Sequence, residues 1–279
     1  MRILQTKAVE EAVYKLFLDC CVIPDPKLKV ALKQARGRET QPVAQEILDQ
    51  LIKNIEVAKA NNMPLCQDTG MAVVFLDVGQ DVHLEGDLIS DAVHEGVRRA
   101  YKDGYYRKSV LGALDRQNTT DNTPAIIHSR IVEGDEVRIQ VAPKGFGSEN
   151  MSALRMITPA EGLEGVKNFV LETVKKAGGN PCPPITLGIG IGGTFELSAL
   201  NAKRALLRPL GEPSPDPEIA PLERELLAKI NQLKIGAMGL GGDTTALAVH
   251  IIEHPTHLAG LPVAVNVQCH CVRHGERIL

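Results

Sequence analysis

Apolar side chains recur at helical spacing between residues 8 and 21, where Val9, Val13, Leu16, Phe17 and Cys20 share one stripe of an amphipathic helix. The pattern is stronger over 43 to 59, with Ile47, Leu48, Leu51, Ile52 and Ile55 on one face. Pro64 disfavours helical dihedrals in the residue before it, so this second helix stops near Asn61. Residues 71 to 79, MAVVFLDVG, read as a buried strand, and 88 to 102 as a further helix. Over 125 to 142 two alternating runs joined at Glu133-Gly134-Asp135-Glu136 predict a β-hairpin. Thr158-Pro159-Ala160-Glu161 is a capping box with proline at the first helical position, and Gly178-Gly179 ends the run that follows. Beyond it come a glycine-rich apolar strand at 185 to 191, a helix from about Thr194 and an exposed proline-rich loop at 208 to 218. A helix over 221 to 233 and strands near 243 to 252 and 263 to 268 complete the chain. Strands and helices are interspersed without a regular βαβ beat and without an internal repeat. The expected class is therefore α+β (mixed α/β), helices packed on mostly antiparallel or mixed sheets in a single large domain spanning 1–279.

Composition narrows the function classes. A net charge of −3 gives no electrostatic reason to expect a nucleic acid or an anionic membrane as partner. Aromatic residues are 3% of the chain and tryptophan is absent, which argues against a stacking platform for single strands. Lys7, Glu10, Glu11 and Lys15 interrupt the N-terminal apolar residues, so no signal peptide is expected there. Nowhere is there an uncharged apolar run of about eighteen residues, so no membrane span is expected and the cytoplasm is the default compartment.

The cysteines carry the candidate chemistry. In a chain of this length without an export signal, the six are expected as reduced thiols or metal ligands rather than a disulfide framework. Cys20 and Cys21 read as small buried hydrophobes. Cys66, Cys182 and Cys269 instead sit where regular structure cannot easily continue: in MPLCQDTG, in GGNPCPP and in NVQCHC. They are 116 and 87 residues apart, which excludes a local zinc ribbon or ferredoxin run but not a site assembled by the fold. Cys271, beside His270, is readable as ligand, spare thiol or core. Gly188, Gly190 and Gly193 satisfy the dinucleotide G-x-G-x-x-G pattern. No acidic strand end follows some twenty residues on, which counts against an NAD-dependent oxidoreductase. Those glycines are expected to let backbone approach a bound cluster. A non-catalytic, metal-stabilised scaffold would explain the cysteines while leaving Gln67, Asp68 and His257 idle.

Four motifs, CQDTG at 66–70, KGFGSEN at 144–150, NPCPP with GIGIGGTFE over 180–196, and the final VQCHCVR, together resemble the class I fumarase and tartrate dehydratase family of iron–sulfur hydro-lyases. They occur in family order from residue 66 to the C-terminus. The chain resembles the α subunit of the two-subunit form, and the resemblance implies a β subunit that completes the active site, in a heterodimer or an α2β2 heterotetramer. It implies a [4Fe–4S] cluster on Cys66, Cys182 and Cys269 whose open iron acts as a Lewis acid on a dicarboxylate substrate. Asp68 and His257 are the implied catalytic residues. His257 lies twelve residues before Cys269, the family interval. Gln67, Arg107 and Gly147 are the implied substrate-binding residues, with Lys144 helping to hold the Gly147 loop. An alternative for Asp68 is a turn-stabilising Asx residue bonding its own backbone. The Cys-His-Cys departs from the family pattern and leaves open which sulfur binds iron. Hydration of fumarate to L-malate, a tricarboxylic acid cycle step, is the first reading, and dehydration of tartrate to oxaloacetate the second.

Overall fold

The strand β2 (Met71–Gly79) is buried along nearly its whole length, and that fact organises the first half of the fold. The computed structural model describes residues 1–279. In chain order its elements are β1 (Arg2–Gln5), α1 (Thr6–Val22), α2 (Leu28–Arg38), α3 (Pro42–Asn61), β2, β3 (Val82–Glu85), α4 (Ile89–Asp103), β4 (Ile126–Val132), β5 (Val137–Lys144), α5 (Phe146–Glu149), β6 (Ala153–Ile157), α6 (Gly162–Ala177), β7 (Ile185–Gly192), α7 (Phe195–Ala205), α8 (Ile219–Asn231), β8 (Ala246–His254), β9 (Leu261–Gln268) and β10 (Gly275–Ile278). The class is α+β, as expected. Internal contacts group the chain into two units, Met1–Asp25 with Val57–Phe146 and Arg273–Leu279, and Pro26–Glu56 with Gly147–Val272. No helix is long and apolar enough to cross a membrane.

In the first unit the main sheet has the order β10-β5-β2-β4, beside a separate parallel pair of β1 and β3. The expected β4–β5 hairpin does not form. β2 lies between the two strands, antiparallel to β5 and parallel to β4. A strand apolar on both faces needs neighbours on both sides, whereas β4, largely exposed, suits an edge. Arg130 of β4 stands directly opposite Asp77 of β2 and grips its carboxylate with both ends of the guanidinium fork, at 2.6 and 2.8 Å. The connection over 133–136 passes across the end of β2, where Gly79 N donates to Glu136 O and Asp81 N to Gly134 O. A Cβ at Gly79 would lie 2.4 Å from the Gly134 oxygen, so the crossing requires glycine. The α1 stripe and Val93, Val97 and Tyr101 of α4 pack with Val74, Leu76, Ile139 and Val141 of the sheet.

The second unit is built on the order β6-β9-β7-β8, with β7 parallel to β8 and antiparallel to β9. Gly188 and Gly190 of β7 are required by packing within this unit. Cβ atoms there would lie 2.0 and 1.9 Å from the carbonyl oxygens of Ala202 and Ser198, so the glycines let α7 lie directly on the strand. Val166, Phe169, Val170 and Val174 of α6 and Leu222, Leu226 and Ile230 of α8 join Leu187, Ile189, Val249 and Val265 in one core. The capping box is present, with Thr158 N donating to Glu161 Oε1 at 2.9 Å, but it opens a 3₁₀ turn over Pro159–Glu161; Gly162, at φ +54°, divides that turn from α6, which ends at Gly178 with φ +53°. A second cluster joins Leu28, Leu32 and Ala35 of α2 to Ala44, Leu48 and Leu51 of α3 and Ala248. The proline-rich segment at 208–218 is irregular and mostly exposed. It is anchored by Arg208, which donates to Glu223 Oε1 and Ile251 O at 2.6 and 2.7 Å.

Candidate active site

Four of the candidate residues, Cys66, Gln67, Asp68 and Arg107, belong to the first unit. The segment after α3 is irregular because Pro64 cannot continue a helix, and Leu65 N closes it onto Cys21 O at 2.9 Å. Cys66 is then part-exposed and Gln67 exposed. The Asp68 carboxylate accepts two backbone N–H bonds at 2.9 Å, Oδ1 from Gly70 and Oδ2 from Phe146. The first is the Asx turn weighed from sequence. The second ties CQDTG to KGFGSEN, and a Cβ at Gly145 would sit only 3.0 Å from Asp68 Oδ2. Arg273, which ends VQCHCVR and is buried, donates Nη2 to the Asp68 carbonyl at 2.8 Å.

The other side of this loop is held by α4 and the strand-free segment after it. The hydroxyl of fully buried Tyr101 donates to Thr69 O at 2.6 Å and Gly70 O at 3.1 Å. Burial holds its phenol well above the usual tyrosine range, so it stays a donor. Asn122, also fully buried, donates Nδ2 to Gly70 O at 3.2 Å and accepts Ser109 N at 2.7 Å. Thr69 Oγ1 donates to Arg107 O at 3.1 Å. The main chain of Arg107 is thereby fixed beside CQDTG while its side chain stays exposed. Gly70, at φ +74°, lies so close to β5 that a Cβ would meet the Lys144 backbone at 2.6 Å.

Gly147, Cys182, His257 and Cys269 belong to the second unit. Cys182 is exposed between buried Pro181 and Pro183, and takes the left-handed φ of +54°, uncommon for a residue with a side chain. His270 donates to its carbonyl twice, from the backbone N at 3.3 Å and from Nδ1 at 3.1 Å. This brings the Cys269 segment against the Cys182 loop. Cys269 is part-exposed, and Gln268 Nε2 donates to its Sγ at 3.5 Å and to Cys271 O at 2.9 Å. Cys271 itself is buried in the core. Gly147 is exposed, and a Cβ there would meet nothing nearer than Asn180 O at 3.9 Å, so the fold alone does not demand glycine. His257 lies on an exposed loop after β8, which is pinned where Thr256 Oγ1 donates to Gly193 O at 2.8 Å. Its Nδ1 accepts Ala259 N at 3.2 Å, which leaves Nε2 as the N–H of the neutral ring.

The structure thus joins Arg107 to the CQDTG loop in one unit, and Cys182 to the Cys269 segment in the other. His257 keeps to its own loop. Within neither unit do three or more His, Cys, Asp or Glu side chains gather as a metal site. The donor chemistry fits an iron–sulfur group on other grounds. Burial separates the cysteines into Cys20, Cys21 and Cys271, which are buried, and Cys66, Cys182 and Cys269, which are partly or fully exposed in irregular segments. An amide N–H on the Cys269 sulfur is the kind of contact that tunes a cluster ligand. Tyr101, Asn122, Arg273 and Gln268 hold these loops; Tyr101 and Asn122 lie outside every motif, whereas Gln268 and Arg273 lie within VQCHCVR, where nothing marked them as loop-holding.

Comparison with known proteins gives the following. The family model described as "Fumarate hydratase (Fumerase)" matches residues 10–277. A protein of Methanocaldococcus jannaschii named putative L(+)-tartrate dehydratase subunit alpha is 44% identical over 267 residues, covering 94% of each chain. The L(+)-tartrate dehydratase subunit alpha of Escherichia coli (strain K12) is 34% identical over 252 residues, covering 89% of this chain and 83% of its own.

Proposed function

Because this chain belongs to the fumarate hydratase (Fumerase) family and is a hydro-lyase, we propose that it is the α subunit of a two-subunit L(+)-tartrate dehydratase. The observation that carries the substrate is the 44% identity, over 94% of both chains, to a relative named for tartrate. This reverses the order expected from sequence, where fumarate stood first. Fumarate hydratase remains the second reading, favoured by the description of the matching family model. The subunit names of the relatives support a β partner, and the assembly proposed with it is a heterodimer or an α2β2 heterotetramer.

The reaction removes a proton from one hydroxyl-bearing carbon of tartrate and a hydroxyl from the other, and the enol that results becomes oxaloacetate. Cys66, Cys182 and Cys269 would hold a [4Fe–4S] cluster, which supplies Lewis-acid polarisation of the departing hydroxyl. The chain's own residues bind and move protons. The exposed Arg107 fork takes a substrate carboxylate; the tie from Thr69 to its main chain, which keeps this segment beside CQDTG, supports that role. Gln67 hydrogen-bonds the substrate, and Gly147 lets it approach backbone where no Cβ intrudes. His257 offers Nε2–H to a substrate oxygen. Asp68 is the acid–base group: its two backbone bonds fix the carboxylate and leave acceptor positions on both oxygens for a proton. Three exposed or part-exposed thiols call for a reducing compartment, which supports a cytoplasmic location.

The test is co-expression with a candidate β subunit, anaerobic purification, and parallel assay of L(+)-tartrate, its enantiomer and fumarate. The highest kcat/KM on L(+)-tartrate is expected. A higher value on fumarate would install the second reading, and full activity of the α chain alone would remove the β requirement.

A further inference from the structure

Residues 236–242 form the run Gly-Ala-Met-Gly-Leu-Gly-Gly. Its backbone is left-handed at Gly236, Met238, Gly239, Gly241 and Gly242, with φ of 71°, 52°, 76°, 85° and 126°. That conformation folds it tightly enough to touch the Cys182 loop at two places. Gly239 packs on Gly179 so closely that a Cβ on it would lie 2.5 Å from the Gly179 Cα. Met238 N donates to Pro183 O at 2.8 Å. The two gripped residues stand on either side of Cys182, whose own N–H donates to Gly179 O at 3.1 Å. With His270 on its carbonyl, the Cys182 main chain is held from both sequence directions and at its own N–H and C=O. A left-handed residue bearing a side chain persists only where its surroundings over-determine it. Here the surroundings are this loop and His270, which hold the main chain of a residue that stays exposed.

We infer that the 236–242 loop is a backbone clamp that sets where the Cys182 sulfur stands, with Gly239 as its positioning residue. The purpose assigned to the clamp rests on the reading of Cys182 as an iron ligand; its geometry does not. Gly241 is the internal control. It shares the left-handed backbone, at φ +85°, yet a Cβ on it would meet nothing within 4 Å. Gly179→Ala is the milder probe, because its Cβ would press on Gly239 Cα at 3.1 Å from a position without a left-handed φ.

Wild type, Gly239→Ala, Gly179→Ala and Gly241→Ala are co-expressed as full chains with the β subunit and purified anaerobically. Iron retention against a chelator is measured first. Cysteine-resolved iodoacetamide labelling of the iron-stripped protein follows, by mass spectrometry. Gly239→Ala and Gly179→Ala are expected to weaken iron binding by roughly 10- to 100-fold, the range for groups that orient a metal ligand. They should alter the labelling rate of Cys182 but not of Cys66, and both effects should exceed those of Gly241→Ala, which carries the left-handed strain without the contact. If Gly239→Ala does not fold, Gly179→Ala decides. Wild-type labelling of Cys182 and wild-type iron retention in Gly179→Ala would overturn the clamp, as would an equal loss in Gly241→Ala. Iron-free wild type would overturn the cluster reading instead, and the labelling contrast would still decide the clamp.

Discussion

Tyr101→Phe isolates the hydrogen bonds that hold the CQDTG loop. The ring is fully buried between Phe17 and Tyr106, with centroids 6.1 and 5.6 Å away, so phenylalanine keeps the packing and loses only the hydroxyl. Two bonds disappear, but not equally. Gly70 O retains Asn122 Nδ2 at 3.2 Å, whereas Thr69 O, on a residue 1% exposed, loses a 2.6 Å donor. Stranding one buried acceptor costs about 1–3 kcal/mol. For a chain of this size that is a fall in Tm of roughly 2–12 °C, at about 2–4 °C per kcal/mol. The functional effect follows from the same geometry. Thr69 also carries the Arg107 main chain, so a loosened loop should raise KM for L(+)-tartrate more than it lowers kcat. The measurements are calorimetry, steady-state kinetics of the αβ enzyme, and tryptic cleavage after Arg107 or Lys108. Wild-type Tm together with wild-type KM would refute the claim that this hydroxyl positions the loop.

Further outcomes follow from individual residues. Gly70→Ala, whose Cβ would meet Lys144 backbone atoms at 2.6–2.7 Å from a left-handed φ, should move the loop off β5 and lower Tm by more than Tyr101→Phe does. Burial pushes the Cys21 thiol from 9.0 up to about 11, against the pull of Arg273, so the folded state resists an ionisation the unfolded chain accepts. That contribution is intact below pH 9 and is lost as pH rises through about 11, amounting to about 3 kcal/mol. Urea titrations across that window should show the loss, and Cys21→Ala should reduce it without abolishing it, because burial also pushes up Cys20, Tyr101 and Tyr106. Cys66→Ser, Cys182→Ser and Cys269→Ser should each lose iron by elemental analysis. Cys271→Ser should keep iron and melt lower, since that thiol is in the core.

What could be read beforehand was what is local. The α1 stripe, the capping box at Thr158, the glycine that closes α6 and the apolar run of β7 each carry their instruction within a few residues, and all formed, the box on a 3₁₀ turn just before α6. The α2 helix escaped notice because only Leu28, Leu32 and Ala35 of its eleven residues reach the core. The hairpin expectation failed because a tight connection says that two strands end close together, not that nothing lies between them. The buried strand β2 decides that, its Asp77 paired with Arg130 of β4, and β2 lies outside the segment that suggested a hairpin. Similarly, the glycines of GIGIGG announce a close approach without naming what approaches: α7 at Gly188 and Gly190, and the end of β8 at Gly192.

The same logic divides the candidate site. Side chains that act directly, such as Cys66 or Arg107, sit in motifs whose residue types suggest their chemistry. Those that position them bond to main-chain carbonyls: Tyr101 to Thr69 and Gly70, Asn122 to Gly70, Arg273 to Asp68. A carbonyl is the same in every residue, so the accepting end of such a bond leaves no mark in the sequence. Arg273 lies 205 residues from the carbonyl it holds, and no spacing rule connects them. A substitution that removes such a donor should therefore impair the site without altering any motif that identifies it. Tyr101→Phe and Gly239→Ala probe that consequence in the two units separately, one through a lost donor and one through an added methyl group.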